Sequence, residues 1–198
     1  MRDLTKDIYT FNELNEEAKK VAIAVQRANE YYLAYGWYDS ITEDFKTILE
    51  LLGFYDIETS FSGFWSQGDG ARFTGNYSNE KRITTKIKGY APKDAELNRI
   101  AKDIMAIQQI NKYKLEATIE ANTHRYLHSN TMSVNTFNSE NEYTDIKQYE
   151  EFEQLCKDLA DWYYDRLENY YDYLMTDKVV AEHLICNEVK FNTDGTRC

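Results

Sequence analysis

The sequence predicts an α+β protein: an antiparallel sheet of two β-hairpins, helices packed on one face of that sheet, and a long C-terminal helix. Three observations predict it. Apolar residues alternate with period two over residues 57–77 and again over 115–137. Apolar residues at helical spacing occur before, between and after those stretches. Residues 60–75 hold four of the eight glycines, the mark of a chain reversing direction. Antiparallel strands with one apolar face need helices to cover it. With 198 residues the chain can bury one substantial core, so a single domain over 1–198 is expected.

Taken in order, Ile8, Tyr9, Thr10 and Phe11 alternate and predict a short leading strand. Asn15 then caps a helix whose first turn carries Glu16 and Glu17, where acids suit the positive end of the helix dipole. Ala18, Val21, Ala22, Val25, Ala28 and Tyr32 form its apolar stripe, and Gly36 ends it. Ser40-Ile41-Thr42-Glu43 is a capping box that opens a second helix. Its inner face is Ile41, Phe45, Ile48, Leu49 and Leu52, and Gly53 stops it.

The first hairpin follows. Ile57, Phe61 and Trp65 share one parity while Glu58, Ser60 and Ser62 share the other. After a polar tip at 66–70, Ala71, Phe73 and Tyr77 alternate with Arg72, Thr74 and Asn76. Trp65 and Phe73 are therefore expected beneath the helices, with Arg72 and Thr74 on a wet opposite face. Pro92 opens a third helix with Leu97, Ile100, Ala101, Ile104 and Ile107 inward. Leu115, Ala117, Ile119 and Ala121 then alternate with polar residues, turn near Asn122-Thr123, and pair with a strand over 125–137 carrying Tyr126, Met132 and Val134. Residues 138–141 read as a linker.

Residues 145–174 make the longest helix, ~45 Å if continuous. Phe152, Leu155, Cys156, Leu159, Tyr163, Leu167, Tyr170 and Leu174 face inward. Thr176 caps a short helix with Val179, Val180 and Leu184, and the tail turns at Asp194-Gly195 into a last small hairpin.

Net charge is −11, and the segment 139–177 holds most of the excess acid. Binding to phosphate backbones is mainly cationic, so general nucleic-acid binding is disfavoured. A solvated helix face is the ordinary reading of such a run, and a contact surface for a basic partner is the functional one. On the latter reading Asp158, Asp161, Asp165 and Asp172, with Tyr164, form the contact. Lys81, Arg82, Lys86, Lys88 and Lys93 make a small basic strip after the first hairpin. No apolar run approaches the ~20 residues that cross a bilayer, and no basic-then-apolar leader stands at the N-terminus, so a cytosolic protein is expected. Cys156, Cys186 and Cys198 are odd in number and widely spaced, which predicts free thiols.

Catalytic signatures are sparse. His124 and His128 could share a face with Asp69, but the spacing lacks the helical context of a zinc motif, so no metal or cofactor is assigned. No Gly-x-Ser-x-Gly elbow occurs, and Gly68-Asp69-Gly70 lacks the spacing of a phosphate loop. A binding protein is expected rather than an enzyme. Trp65, Gln67, Asp69 and Arg72 at the hairpin tip compose an alternative site, in which Trp65 or Phe64 stacks on a base, Gln67 and Asp69 read its edge, and Arg72 with Lys81, Arg82 and Lys86 holds the phosphate of a nucleotide signal.

Ser62-Gly63-Phe64-Trp65-Ser66-Gln67-Gly68-Asp69-Gly70-Ala71, followed by Phe73 and Gly75, resembles the central motif of a family of bacteriophage and prophage proteins of unassigned activity, some of them labelled antitoxin of a toxin–antitoxin stability system. The likeness extends to Phe11-Asn12-Glu13-Leu14, Asp94-Ala95-Glu96-Leu97, Tyr126 with His128, Leu167-Glu168 and Asn187-Glu188. The connection between the second helix and the hairpin is shorter here than in the family pattern. The resemblance implies no catalytic residues; it implies a phage protein acting on a host macromolecule, as a counter-defence factor, regulatory inhibitor, nucleic-acid mimic or antitoxin.

Overall fold

Helices and strands form largely where apolar periodicity places them. The structure, a computed structural model, describes residues 8–29, 32–33, 36–122, 126–138 and 145–198. The described elements, in order, are β1 (Tyr9–Thr10), α1 (Glu16–Arg27), α2 (Asp39–Leu52), β2 (Phe54–Phe61), β3 (Ala71–Tyr77), α3 (Ile83–Tyr90), α4 (Ala95–Ile110), β4 (Leu115–Ala121), β5 (Met132–Asn138), α5 (Ile146–Leu174), α6 (Asp177–Cys186) and β6 (Lys190–Phe191). The class is α+β with two antiparallel sheets and a long helix near the C-terminus. The chain divides into two compact units, Met1–Tyr38 with Glu168–Cys198, and Asp39–Leu167; α5 contributes to both.

In the first unit β1 pairs antiparallel with β6, and Phe11, Leu14, Ala18, Ala22, Val180, Leu184, Val189 and Phe191 close the core. Asn15 caps α1 by accepting the Ala18 N–H at 2.9 Å. The buried stripe of α1 is Ala18, Ala22 and Gln26, whereas Val21 and Val25 are exposed. Steps of four residues set that face, and the two valines lie off it. Past Leu167, α5 buries no residue: Tyr170 is partly exposed and stacks with Trp37 at 6.4 Å. At the end of the chain, Gly195 has φ of +85° and lies so close to α1 that a Cβ there would sit 2.0 Å from the Ala18 carbonyl oxygen.

In the second unit the strands run in the order β2-β3-β4-β5, all neighbours antiparallel. Phe54, Phe73 and Tyr77 meet rings from two helices: Phe45 of α2 lies 5.9 Å from Phe73, and Phe152 of α5 lies 4.7 Å from Tyr77. Phe45 also stacks on Tyr163 at 4.4 Å. The predicted inner faces of α2 and α4 are buried, and α3, absent from the sequence reading, buries Ile83 and Ile87. Inside the core Gln108 donates to the Tyr77 hydroxyl at 3.0 Å and to the Leu115 carbonyl at 2.9 Å, so its amide satisfies the end of β4. Asp94 caps α4 and binds α5 as well, accepting from Leu97 N–H, Trp162 Nε1 and Arg166 Nη2 at 3.0, 3.0 and 2.6 Å. Burial pushes its carboxyl upward, but those three donors and the Arg166 charge outweigh burial and hold it below the usual carboxylate range.

Three more expectations are corrected, and the first is the strand over 125–137, which begins only at Met132 after a 3-10 turn at Ser129–Thr131. Trp65 is 73% exposed; Phe64 takes the inner position, with 7% of its surface accessible. The strand ends at Phe61, so the parity that pointed Trp65 inward stops four residues before it. Arg72 lies on the opposite side of β3 from Phe73, yet it is buried at 5% exposure beneath the segment 126–131. A β-bulge at Asp56, where φ is +53°, also breaks the alternation early in β2. His124 and most of the 138–141 linker lie outside the described residues.

Candidate functional site

Residues 62–70 join β2 to β3 through a closed neck. Ser62 N–H donates to the Gly70 carbonyl at 3.0 Å, and Gly70 N–H donates to Ser62 Oγ at 3.3 Å. Inside the neck Asp69 Oδ2 accepts the Ser66 N–H at 2.7 Å while Asp69 N–H donates to the Ser66 carbonyl at 3.0 Å. This reciprocal pair closes the turn from within, and it uses Asp69 as a turn residue. Gln67 beside it is exposed.

Phe64 anchors the loop. Its ring lies 6.4 Å from Phe61, 5.8 Å from Trp65 and 5.5 Å from Tyr164, and Tyr164 Oη donates to the Gly63 carbonyl at 3.1 Å. On the other flank the segment 126–131 presses against the glycines. A Cβ on Gly68, whose φ is +91°, would sit 2.5 Å from the Tyr126 ring, and one on Gly70 would sit 2.5 Å from His128 Cβ. These glycines are what let the segment seat against the loop. Arg72 donates from beneath to the Tyr126 carbonyl at 3.3 Å and to Thr131 Oγ1 at 3.4 Å.

Trp65 takes φ of +76°. Left-handed backbone costs a bulky residue roughly 1–2 kcal/mol. Elsewhere among the described residues the same conformation has a plain structural use: Lys112, Tyr113 and Glu188 close the ends of α4 and α6, Asp56 forms the bulge, and Arg82 begins α3. Trp65 is at neither a helix end nor a bulge: it lies in the loop between the buried Phe64 and the Ser66–Asp69 turn, and its indole is exposed.

An acidic row on α5 approaches the loop region at Asp161, which meets Ser129 and His128. Asp158, Asp161 and Asp165 recur at steps of three and four, so they share a helix face. Burial raises the Asp161 carboxyl above its ordinary value, and Asp158 and Asp165 add to the shift, while the Ser129 hydrogen bond and His128 oppose it. Asp158 pairs with Arg99 and accepts from Gln154 Nε2 at 2.8 Å. It lines a groove of about 400 Å³ between α4 and α5 together with Ile107, Ile110 and Leu155. The structure therefore brings Trp65, Asp69, Tyr164, Asp161 and Asp165 into one region of the second unit. It places Arg72 under that region, and Asp172 exposed in the first unit. The sequence reading set Tyr126 on a strand and did not single out Ser129; the clue to their place beside the loop was Gly68 and Gly70, whose missing side chains imply something seated against them.

Among the described residues no group of three or more His, Cys, Asp or Glu is placed to hold a metal, and no helix is long and apolar enough to cross a membrane. The Cys156 thiol is fully buried, and burial raises its pKa. What the site presents is contact area: an aromatic knob with acids and tyrosines around it.

An α+β scaffold presenting a strained aromatic loop is the class that the fold and site define. The chain belongs to the family described as Domain of unknown function (DUF8835), whose model matches residues 37–177. That span contains the whole of the second unit and every residue of the loop region. No curated protein and no solved structure matches the chain.

Proposed function

We propose that the protein works by binding a basic host macromolecule, with Trp65 as the anchor and Asp158, Asp161, Asp165 and Tyr164 as its acidic surround. The observation that carries this reading is the strained, exposed tryptophan. Strain persists where the surrounding structure over-determines it, and it clusters at functional sites. Tryptophan and tyrosine are the residues that most often dominate interface energies, and an acidic rim steers basic partners. On this reading the four-stranded sheet acts as two β-hairpins with helices on one face, the first hairpin extended by the loop. The resemblance to phage and prophage proteins supports a host target, with the protein as a counter-defence or regulatory inhibitor.

The alternative, a nucleotide signal held at the loop by Trp65, Gln67, Asp69 and Arg72, is weakened by the burial of Arg72 and by the pairing of Lys86 with Glu80 at 3.0 Å. Affinity capture from host lysate at low and high salt tests the binding reading. A basic protein should be retained at low salt, released at high salt, and lost with both Trp65→Ala and the double change Asp161→Asn, Asp165→Asn. Retention unchanged by these variants, or no partner at either salt, would contradict it. A captured nucleic-acid-handling enzyme would assign the mimic role, and a captured toxin the antitoxin role.

A further inference from the structure

We propose that the shallow pocket between α3 and α4 binds a small phosphorylated ligand, held by the ammonium groups of Lys88 and Lys102 and the hydroxyls of Thr84 and Thr85. The site lies in the second unit, and it is independent of the protein-binding surface. Ile83 and Ile87 turn into the core, which leaves Thr84, Thr85, Lys88 and Gly89 of α3 to line the pocket with Asn98 and Lys102 of α4. It is an open depression with a volume of about 400 Å³.

Two features of this pocket suit it to an anion. The first is charge. The protein carries an excess of acid, and many of its cations are paired: Lys86 with Glu80, Lys46 with Glu43, Arg99 with Glu96, Asp103 and Asp158. Lys88 and Lys102 make no ion pair among the described residues, and they line one pocket from two helices, so an anion bound there would meet both charges. A place near the end of α3 suits Lys88 to the helix dipole, but that does not account for Lys102.

The second feature is Gly89. It lies in the last turn of α3, it does not have a left-handed φ, and a Cβ added there would meet nothing within 4 Å. Glycine is a poorer helix former than every residue except proline, so an alanine there would favour the helix. Neither backbone geometry nor packing calls for glycine at this position. Glycine also serves where a ligand must approach the backbone closely, and that use remains.

Lysine binds phosphate as a point charge, and the threonine hydroxyls donate to its remaining oxygens. A polymer is disfavoured as occupant, because a nucleic acid would extend past the lysines into the field of a chain of net charge −11, whereas a small anion stays within the ~8 Å screening length of the pair.

The test is an amide chemical-shift titration of the full chain with pyrophosphate and with ATP, against sodium chloride at matched ionic strength. Saturable shifts are expected at Thr84, Lys88, Gly89 and Lys102. The double change Lys88→Gln, Lys102→Gln should weaken binding about tenfold or more with the melting temperature unchanged. Gly89→Leu should leave the melting temperature equal or higher while removing binding. The proposal is overturned if neither probe gives saturable shifts, if the shifts track ionic strength as chloride does, or if either variant binds as the wild type does. A single-stranded oligonucleotide that binds this face while pyrophosphate and ATP do not would overturn it in favour of a polymer site.

Discussion

In the turn at residues 192–196 the backbone closes on itself through the Asn192 carbonyl and the Gly195 N–H at 3.0 Å, and Asp194 Oδ1 accepts from both the N–H and the hydroxyl of Thr196. The loop at residues 62–70 is built alike, with Asp69 before Gly70 and the aspartate satisfied within the turn. Both need glycine because another part of the chain presses close: Ala18 against Gly195, Tyr126 and His128 against Gly68 and Gly70. They part at one residue. The first turn carries no large exposed apolar side chain, whereas the second puts a tryptophan in left-handed backbone and leaves it 73% exposed. Close packing accounts for the first turn entirely. In the second it accounts for the frame, and the exposed indole of Trp65 is the feature on which the contact proposal rests.

Substitutions can sharpen the contrast, beginning with the largest effect. Gly195→Ala should cost about 3 kcal/mol or more, since it adds left-handed strain to a clash with backbone that cannot swing aside. Urea denaturation measures this, and a cost below about 1 kcal/mol would show that the turn is not held by packing. Asp94→Ala should cost about 2 kcal/mol through the lost cap and two lost charge-assisted bonds, without touching the loop. Because the Asp94 carboxyl is depressed in the fold, its stabilisation is present above the ordinary aspartate pKa and is lost as pH falls through the lowered folded value. The variant should therefore lose less stability than the wild type on acidification in that window. Asp161 has the opposite sign: with its carboxyl raised, its effect on stability is adverse once pH rises above the ordinary value, so Asp161→Asn should preserve or raise stability at neutral pH. Gly68→Ala should cost only about 1–2 kcal/mol, because the Tyr126 ring it meets is partly exposed and can move.

Much of this molecule was legible in its sequence. The inner faces of α2 and α4, and of α5 as far as Leu167, follow from spacing, as do the strand at 115–121 and the cap at Asn15. α3 escaped notice because only Ile83 and Ile87 mark its buried side within a run of cations and hydroxyls. The interchange of Phe64 and Trp65 escaped for a physical reason: periodicity holds only while the backbone stays extended, and past Phe61 it does not. Burial of Arg72 depends on a segment more than fifty residues away, a contact that no local pattern encodes. The meeting of Tyr164 with Gly63 is equally remote in sequence, so the acidic row and the loop could be read singly but not as neighbours.

The central claim is that Trp65 is kept for contact and not for the core, and the most direct measurement is the unfolding free energy of Trp65→Gly. Glycine relieves roughly 1–2 kcal/mol of left-handed strain and returns roughly 0.4–1 kcal/mol as unfolded-chain entropy. Stability should therefore stay within about 1 kcal/mol of the wild type, while retention of the proposed basic partner is lost. A loss of about 3–5 kcal/mol, the usual cost of deleting a core aromatic, would contradict the account.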